Sequence, residues 1–165
     1  MRDVPDFPKP GILFRDLTPL LAQPELCLEI VDFFISSLDH KPDAVAGIES
    51  RGFWLGPLIS QRLNVPFIPI RKKGKLPFKT IDQSYDLEYG QATIEIHTDA
   101  VKYGQRVLIH DDLIATGGSA AAAAELIKKL GGIVSGFAFL VELRDLKGRQ
   151  QIKPYSDTII SLLTY

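Results

Sequence analysis

The segment from Arg106 to Ala120, RVLIHDDLIATGGSA, constrains the fold of this chain more than any other part of its sequence. A short apolar run at 107–109 ends in an acid pair, Asp111 and Asp112, and small or hydroxylated residues precede a run of alanines. This order predicts a buried strand, a turn and the N-terminus of a helix. Ligands of open α/β sheets bind beyond the carboxyl ends of the strands, which is where this loop would lie.

The predicted loop suits an anion that is flanked by hydroxyl groups. The first turn of a helix leaves N–H groups unpaired, and with the helix dipole they attract anions. Gly117 and Gly118 allow a ligand to approach the backbone, while Thr116 and Ser119 supply hydroxyl donors. An ordinary strand-to-helix loop, capped by Thr116 or Ser119, is the alternative. The complete order of residues favours the ligand site, which needs its structural context as support.

This stretch resembles the phosphoribosyl-pyrophosphate (PRPP) signature of the type I phosphoribosyltransferases. The resemblance implies that the 5′-phosphate lies on a loop formed by Ala115, Thr116, Gly117, Gly118 and Ser119. It implies that Asp111 and Asp112 hold the ribose hydroxyls, and that Mg²⁺ is a cofactor held mainly through PRPP, with no direct protein ligand. The implied fold is α/β, with a mostly parallel central sheet flanked by helices, a small N-terminal hood and a flexible hairpin loop.

The length of 165 residues fits one domain, which we predict to span residues 1–165. The hood would occupy about residues 1–20 and the flexible loop about residues 71–96. Strands are predicted at 44–48, 66–70, 107–110, 133–143 and 158–163, and helices at 25–38, 53–63 and 119–130. This alternation indicates parallel strands joined by crossover helices.

The chain between the second and third of these strands reads differently. Residues 71–84 are basic and interrupted by proline, so we expect a long loop there. Residues 85–88 and 92–96 look like a two-stranded hairpin that turns near Gly90.

A second set of candidate residues, Glu49-Ser50-Arg51-Gly52, directly follows the strand at 44–48. It should therefore lie at the same sheet edge as the acid pair, where a basic side chain and free N–H groups suit pyrophosphate. A helix start capped by Ser50, with Arg51 in a surface ion pair, fits these residues equally well when they are taken alone. The family resemblance favours the pyrophosphate site and implies a non-proline cis peptide between Glu49 and Ser50.

A third candidate is the basic run at residues 71–75, which carries four cations in five positions. Solvated surface charge is the usual explanation for such a run. A departing pyrophosphate, however, needs cations or a metal to stabilise its charge. The resemblance implies that Arg71 reaches the pyrophosphate of a neighbouring subunit, which makes a homodimer the expected catalytic unit. Lys72 and Lys75 are further candidates for the same contact.

Three more motifs narrow the resemblance: FPKPGILFRD at 7–16, LEYG at 87–90 and LKGR at 146–149. Together they are similar to the members of the family that convert adenine and PRPP into AMP and pyrophosphate. The resemblance implies that the Leu13 carbonyl accepts from the exocyclic amine of adenine and that the Arg15 N–H donates to N1. Phe14 and Leu143 would sandwich the ring. Leu13 and Phe14 are also explained as core residues, which is the usual place for apolar side chains.

The LEYG motif supplies a candidate for proton management. Adenine must lose its N9 proton as it becomes a nucleophile, and the carboxyl group of Glu88 near N7 would tune that basicity. Tyr89 is a candidate for the pyrophosphate side. A solvent-facing hairpin pair is the alternative for both. The expected catalytic set is therefore Glu88, Asp111, Asp112 and Arg51.

Other functional classes are disfavoured by the composition. The net charge of −1 indicates neither nucleic-acid nor membrane binding, and residues 1–10 contain three prolines and two aspartates, unlike a signal peptide. The single Cys27 is expected to be a buried, inert thiol, and we expect a cytoplasmic location. The histidines do not cluster as zinc ligands; His40 and His97 look like surface residues, and His110 stands where the family commonly has an apolar residue.

Two alternatives stay open at this point. One is a PRPP-binding regulatory protein without catalysis, although the chain has no spare length for a nucleic-acid-binding module. The other is a transferase for a different purine base, such as hypoxanthine, guanine or xanthine.

Overall fold

A computed structural model describes residues 2–7, 9–11, 13–87 and 90–165. It contains the strands β1 (Arg2–Pro5), β2 (Leu13–Asp16), β3 (Ala44–Ile48), β4 (Phe67–Lys72), β5 (Thr80–Asp86), β6 (Gln91–His97), β7 (Arg106–Ile114), β8 (Ile133–Glu142) and β9 (Ile159–Thr164). Strands β3 to β9 form one seven-stranded sheet in the order β5-β6-β4-β3-β7-β8-β9. Strands β1 and β2 form a separate antiparallel hairpin.

The five strands β4-β3-β7-β8-β9 are parallel, whereas β5 and β6 are antiparallel additions at one edge. The predicted mostly parallel sheet and the small N-terminal hairpin are therefore confirmed. The register between β3 and β7 sets Gly47 opposite His110. Because both strands run in the same direction, the residues after Ile48 emerge beside the acid pair of β7.

The helices are α1 (Thr18–Leu21), α2 (Pro24–Ser36), α3 (Gly56–Leu63), α4 (Gly118–Lys129) and α5 (Gly148–Ile152), with 3₁₀ turns at Arg51–Phe53 and Arg144–Leu146. Helix α3 begins at Gly56 and not at Phe53 as predicted, because a 3₁₀ turn fills the residues after β3. Pro57 stands in the first turn of α3, where its missing N–H costs no hydrogen bond. No helix in the described part of the chain is long and apolar enough to cross a membrane.

The sheet is covered on both faces, and β7 shows how its sequence serves two cores. Leu108 packs in the cluster formed with α2 and α3, whereas Ile109 packs in the cluster formed with α4. Successive side chains of a strand point to opposite faces, so a strand covered on both sides is apolar throughout. The alanines at 120–124 are all buried, and their small side chains bring α4 close to the sheet, as predicted. Cys27 is buried and unpaired, also as predicted.

The predicted loop at 71–84 is wrong over much of its length. Strand β4 continues to Lys72, and β5 begins at Thr80, which pairs with His97 of β6. The burial of β5 alternates between half-buried and exposed positions, with Ile81 and Tyr85 packed against the α4 core cluster. The exposed polar residues between them, Asp82 and Ser84, face away from the core, and they made a one-sided strand resemble a loop.

The acid pair also lies in a different element from the one predicted. Asp111 and Asp112 belong to β7, which extends to Ile114 instead of ending at 110. The reason lies in the neighbouring strand: β8 continues alongside, with Glu142 opposite Ile114. Strand pairing therefore holds both carboxylates on a regular backbone before the loop begins.

Candidate active site

Asp111 and Asp112 occupy successive positions of β7, so their side chains lie on opposite faces of the sheet. Asp111 is half-buried and lines a cleft next to the loop at 115–119. Asp112 is only 1% exposed and has its Oδ2 at 3.1 Å from Nε of Arg51. The Asp112 N–H donates to Oδ1 of Asp111 at 2.9 Å, which fixes the orientation of that carboxylate.

Burial raises the pKa of both carboxyl groups, since it disfavours their charged forms. The charge of Asp112 raises the pKa of Asp111 further, whereas the Arg51 guanidinium opposes the rise at Asp112. Oδ2 of Asp112 is buried and ion-paired with Arg51, but no contact with the described residues has the geometry of a hydrogen bond. This oxygen can therefore still accept a hydrogen bond from a hydroxyl group brought by a ligand.

The loop at 115–119 has the geometry of an anion site. Gly117 has φ +85° and precedes α4, which begins at Gly118 and has no side-chain N-cap. Neither Thr116 nor Ser119 therefore caps α4, contrary to the capping role that the alternative gave them. The N–H groups in the first turn of α4 have no acceptor within the helix, and they point out of its N-terminal end toward the cleft.

Gly117 is also required for close packing. A Cβ atom on Gly117 would lie 2.6 Å from the carbonyl oxygen of Gly148, at the start of α5. The start of α5 thus packs directly against the loop at 115–119.

The residues after β3 reach the same sheet edge, as predicted. The Glu49–Ser50 peptide bond is cis, and Arg51 opens the 3₁₀ turn that follows. A Cβ atom on Gly52 would lie 2.5 Å from the carbonyl oxygen of His110, so this turn is packed directly onto β7. That packing brings Arg51 within reach of Asp112.

Two clefts meet at Arg51. One, of about 220 Å³, is lined by the loop at 115–119 together with Asp111 and residues 85–87. The other, of about 430 Å³, lies under the N-terminal hairpin and is largely apolar. Its lining comprises Leu13, Phe14, Arg15, Arg51, Leu113, Leu143, Asp145, Leu146 and Tyr165. Because Arg51 and Leu113 line both clefts, an anionic end and a flat apolar end of one ligand fit side by side.

One cavity is thus lined by all four residues that were expected to contact adenine: Leu13, Phe14, Arg15 and Leu143. The first three lie in β2, and Leu143 follows β8, where its N–H donates to the Ile114 carbonyl at 2.9 Å. Sequence analysis missed Leu113 and Tyr165.

The hairpin of β5 and β6 lies against the start of α4. A Cβ atom on Gly118 would lie 3.2 Å from the Tyr85 ring and 3.3 Å from the Asp86 carbonyl. Burial raises the pKa of Tyr85, and the charge of Asp111 raises it further. The turn is closed by the Leu87 N–H, which donates to the Gly90 carbonyl at 3.0 Å. Glu88 and Tyr89, predicted at the base and the pyrophosphate, lie outside the described residues.

Two carboxylates, which the sequence analysis did not predict as partners, accept hydrogen bonds from the basic run at 71–75 and the residues next to it. Arg71 donates to both oxygens of Glu49 at 3.1 and 3.2 Å, and the Lys72 N–H donates to the same group at 2.9 Å. The hydrogen bonds from Arg71 are the main reason that the pKa of Glu49 is lowered. Lys72 and Lys75 are exposed and lie outside the lining of both clefts.

Glu95 is the second of these carboxylates and is 4% exposed. It accepts from the N–H groups of Lys75 and Leu76 at 2.9 Å and from the Thr80 hydroxyl at 3.2 Å. Burial raises the pKa of Glu95, but these hydrogen bonds together lower it. Glu95 therefore fixes the path of the chain between β4 and β5.

None of the three histidines lines either of the two clefts. His40 is exposed as predicted. His97, the last residue of β6, is half-buried and packs edge-on against Phe78. His110 is fully buried beside the acid pair, with Nδ1 at 2.9 Å from the Ala138 carbonyl. Burial lowers the pKa of His110 to about 4, so it is neutral near pH 7.

Comparison with known proteins gives consistent results. A model of the family described as the phosphoribosyl transferase domain matches residues 17–162. The chain is 54% identical over 166 residues to the adenine phosphoribosyltransferase of Cytophaga hutchinsonii, an alignment that covers 100% of this chain and 92% of that protein.

Solved structures agree with that match. The crystal structure of adenine phosphoribosyltransferase from Thermoanaerobacter pseudethanolicus has a TM-score of 0.94 at 46% identity, covering 99% of this chain and 95% of that one. The enzyme of Saccharomyces cerevisiae, complexed with D-2,5-dideoxy-2,5-imino-altritol 1,6-bisphosphate and adenine, has a TM-score of 0.92 at 41% identity, covering 98% and 93%.

Proposed function

This chain belongs to the phosphoribosyltransferase family, and we propose that it is an adenine phosphoribosyltransferase. In this reaction adenine N9 bonds to C1′ of PRPP as the bond from C1′ to pyrophosphate breaks, which yields AMP and pyrophosphate. One observation carries the proposal: an anion-binding loop and an apolar cleft under a hairpin share Arg51 and Leu113 as a common wall. A ribose between phosphate and base would span that wall.

The loop at 115–119 anchors the 5′-phosphate, and the acid pair holds the ribose. Backbone N–H donors and hydroxyls bind the anion at the N-terminus of α4. Asp111 and Asp112 accept from the ribose hydroxyls, and a ribose hydroxyl would add a hydrogen bond to the buried Oδ2 of Asp112, which is ion-paired with Arg51. Fixing both ends of the ribose phosphate positions C1′ against N9. The negative charge nearby favours the positive charge that develops on the ring.

The apolar cleft receives adenine. Phe14 and Leu143 enclose the ring, while the backbone of Leu13 and Arg15 reads its edge. Backbone groups suit this task because each supplies one donor and one acceptor in a fixed geometry. The position of these four residues around a single cavity supports the assignment.

The leaving pyrophosphate is stabilised by Ser50 and Arg51, together with Arg71 and weaker contributions from Lys72 and Lys75. Mg²⁺ fits the donor chemistry here, since it keeps water ligands and is commonly held by substrate phosphates with one or two carboxylates. Asp111, which lines the cleft, would hold it through those waters. Bound Mg²⁺ neutralises charge on the pyrophosphate as it departs.

Glu88 on the hairpin would manage the proton at N7 of the base, and Tyr89 would face the pyrophosphate. The contact between Tyr85 and the start of α4 supports a hairpin that covers the cleft and excludes water. We propose a homodimer as the catalytic unit, because Arg71 is assigned to the site of a neighbouring subunit. A cytoplasmic location stays a prediction from the sequence.

The test is a product assay with adenine, PRPP and Mg²⁺, in which AMP is followed by chromatography and hypoxanthine and guanine are supplied in parallel. We expect AMP from adenine alone, and only when Mg²⁺ is present. Product from another base would overturn the specificity. Saturable PRPP binding without product from any base would favour the regulatory protein instead.

A further inference from the structure

The N-terminal hairpin forms a sheet of its own. Its strands pair with each other and not with the seven-stranded sheet. Two of its ion pairs are internal to the hairpin: Arg2 with Asp16, and Arg15 with Asp3, each at 2.6 Å. The hairpin is anchored at one end by Leu17, which follows β2 and is buried in the core. Side chains that cross the apolar cleft therefore add to what sets the distance between the hairpin and the opposite wall.

Arg15 makes such a crossing. Its guanidinium carbon lies 4.4 Å from the centroid of the Tyr165 ring, which is within the range of a cation–π contact. The same guanidinium donates to the Asp3 carboxylate at 2.6 Å, so the planar group is held by a carboxylate as well as by an aromatic face. Arg15 and Tyr165 both line the apolar cleft.

Tyr165 is itself tied to the wall opposite the hairpin. Its N–H donates to the Glu142 carbonyl at 2.9 Å, and its own carbonyl accepts from the Arg144 N–H at 2.7 Å. These two bonds lie on either side of Leu143, the residue assigned to one face of the base. The Tyr165 ring thus links Leu143 on one wall to Arg15 on the other.

We propose that Tyr165 is a positioning residue for the base. By stacking on the Arg15 guanidinium it holds the hairpin at a set distance from Leu143, so that the Leu13 carbonyl and the Arg15 N–H meet the edge of adenine. Its ring also closes the apolar cleft. This inference rests on the proposed function of the chain and adds a residue that the sequence motifs did not include.

The experiment compares steady-state constants of Tyr165→Leu and Tyr165→Phe with those of the unmodified protein. We expect Tyr165→Leu to raise the KM for adenine about tenfold, which corresponds to about 1.4 kcal/mol. The KM for PRPP and kcat should change by less than about twofold, because Tyr165 does not line the cleft formed by the loop at 115–119. Tyr165→Phe should behave like the unmodified protein, since it keeps the ring that faces the guanidinium.

Tyr103→Leu is the matched control, because Tyr103 is 94% exposed and lines neither cleft. It should leave every constant unchanged. A double variant with Arg15→Met supplies a second measurement: if Tyr165 acts through Arg15, adding Tyr165→Leu should cause little further rise in the KM for adenine. That comparison holds even if each variant loses some stability.

The outcomes separate the inference from the function on which it rests. An unchanged KM for adenine in Tyr165→Leu, or equal losses in Tyr165→Leu and Tyr165→Phe, would overturn the inference while the proposed function stands. Additive effects of the two substitutions would overturn the action through Arg15. No AMP formation by the unmodified protein would overturn both.

Discussion

At the scale of single residues, His110 shows what burial does to an ionisable group in the middle of a sheet. Its Nδ1–H donates to the Ala138 carbonyl, its Nε2 is buried without a hydrogen bond from the described residues, and Phe34 packs edge-on at 5.7 Å. Burial lowers the pKa of the imidazole from 6.5 to about 4. The folded protein thus excludes a proton that the unfolded chain takes up below pH 6.5.

The consequence is a loss of stability in acid. Because the unfolded state binds more protons between pH 6.5 and 4, the free energy of unfolding should fall by up to about 3 kcal/mol over that interval. His110→Leu removes this contribution, so urea unfolding should show a shallower decline with falling pH than in the unmodified protein. The raised pKa values of Asp111 and Asp112 act in the opposite direction, but they are present in both proteins. Parallel profiles would contradict the role of His110, and exposed His40→Leu is the matched control.

At the scale of elements, the phosphate loop depends on the segment behind it. Gly117 and Gly148 lie back to back: a Cβ on Gly117 would be 2.6 Å from the Gly148 carbonyl, and a Cβ on Gly148 would meet the Ala115 carbonyl. Helix α5, although only five residues long, therefore supports the first turn of α4. Neither glycine can be replaced without moving the loop that meets the phosphate.

We predict that Gly117→Ala raises the KM for PRPP at least about tenfold, since the new methyl group displaces the N–H donors of the loop. It should also lose more than about 1–2 kcal/mol of stability, because the clash with Gly148 adds to the cost of φ at +85°. Gly104→Ala is a matched control: Gly104 has φ +74°, but a Cβ there meets open space. The control should lose only the cost of the positive φ and keep its KM for PRPP. Equal effects of both variants on that KM would refute the account.

At the scale of the whole molecule, the basic segment at 71–75 lies outside the lining of the two clefts of its own subunit. Arg71 is oriented by Glu49, and the chain beyond it by Glu95, so its guanidinium occupies a defined position at the end of β4. In the proposed homodimer, Arg71 of one subunit would act in the site of the other, which would explain why its guanidinium is held in a defined position.

Mixing two inactive variants tests that arrangement. Arg71→Ala and Asp112→Asn should each be nearly inactive alone. If Arg71 acts across the interface, a heterodimer contains one intact site, so random mixing of the subunits should restore about a quarter of the activity. If Arg71 acts within its own subunit, the mixture should remain inactive. Co-refolding or co-expression followed by the AMP assay measures the recovery.

Local patterns were sufficient for much of this molecule. The order strand, acid pair, small residues and alanine helix predicted the loop between β7 and α4, because a strand, a positive φ and a helix start each require particular residue types over a short distance. Alternation of apolar strands and helices identified the parallel sheet. The assignment of Leu13, Phe14, Arg15 and Leu143 to adenine was predicted from a family resemblance, since nothing in their own chemistry distinguishes them from core residues.

The remaining features depend on contacts between distant parts of the chain. Asp111 and Asp112 became part of β7 because β8 pairs with them, and residues 80–84 became a strand because β6 does. The Glu49–Arg71 pair and the Arg15–Tyr165 stack join residues that are far apart in sequence. The sequence by itself determined the alternation of parallel strands and helices and the loop between β7 and α4, because their signals are local. The tertiary structure decided which side chains meet, because burial and register are properties of the packed sheet.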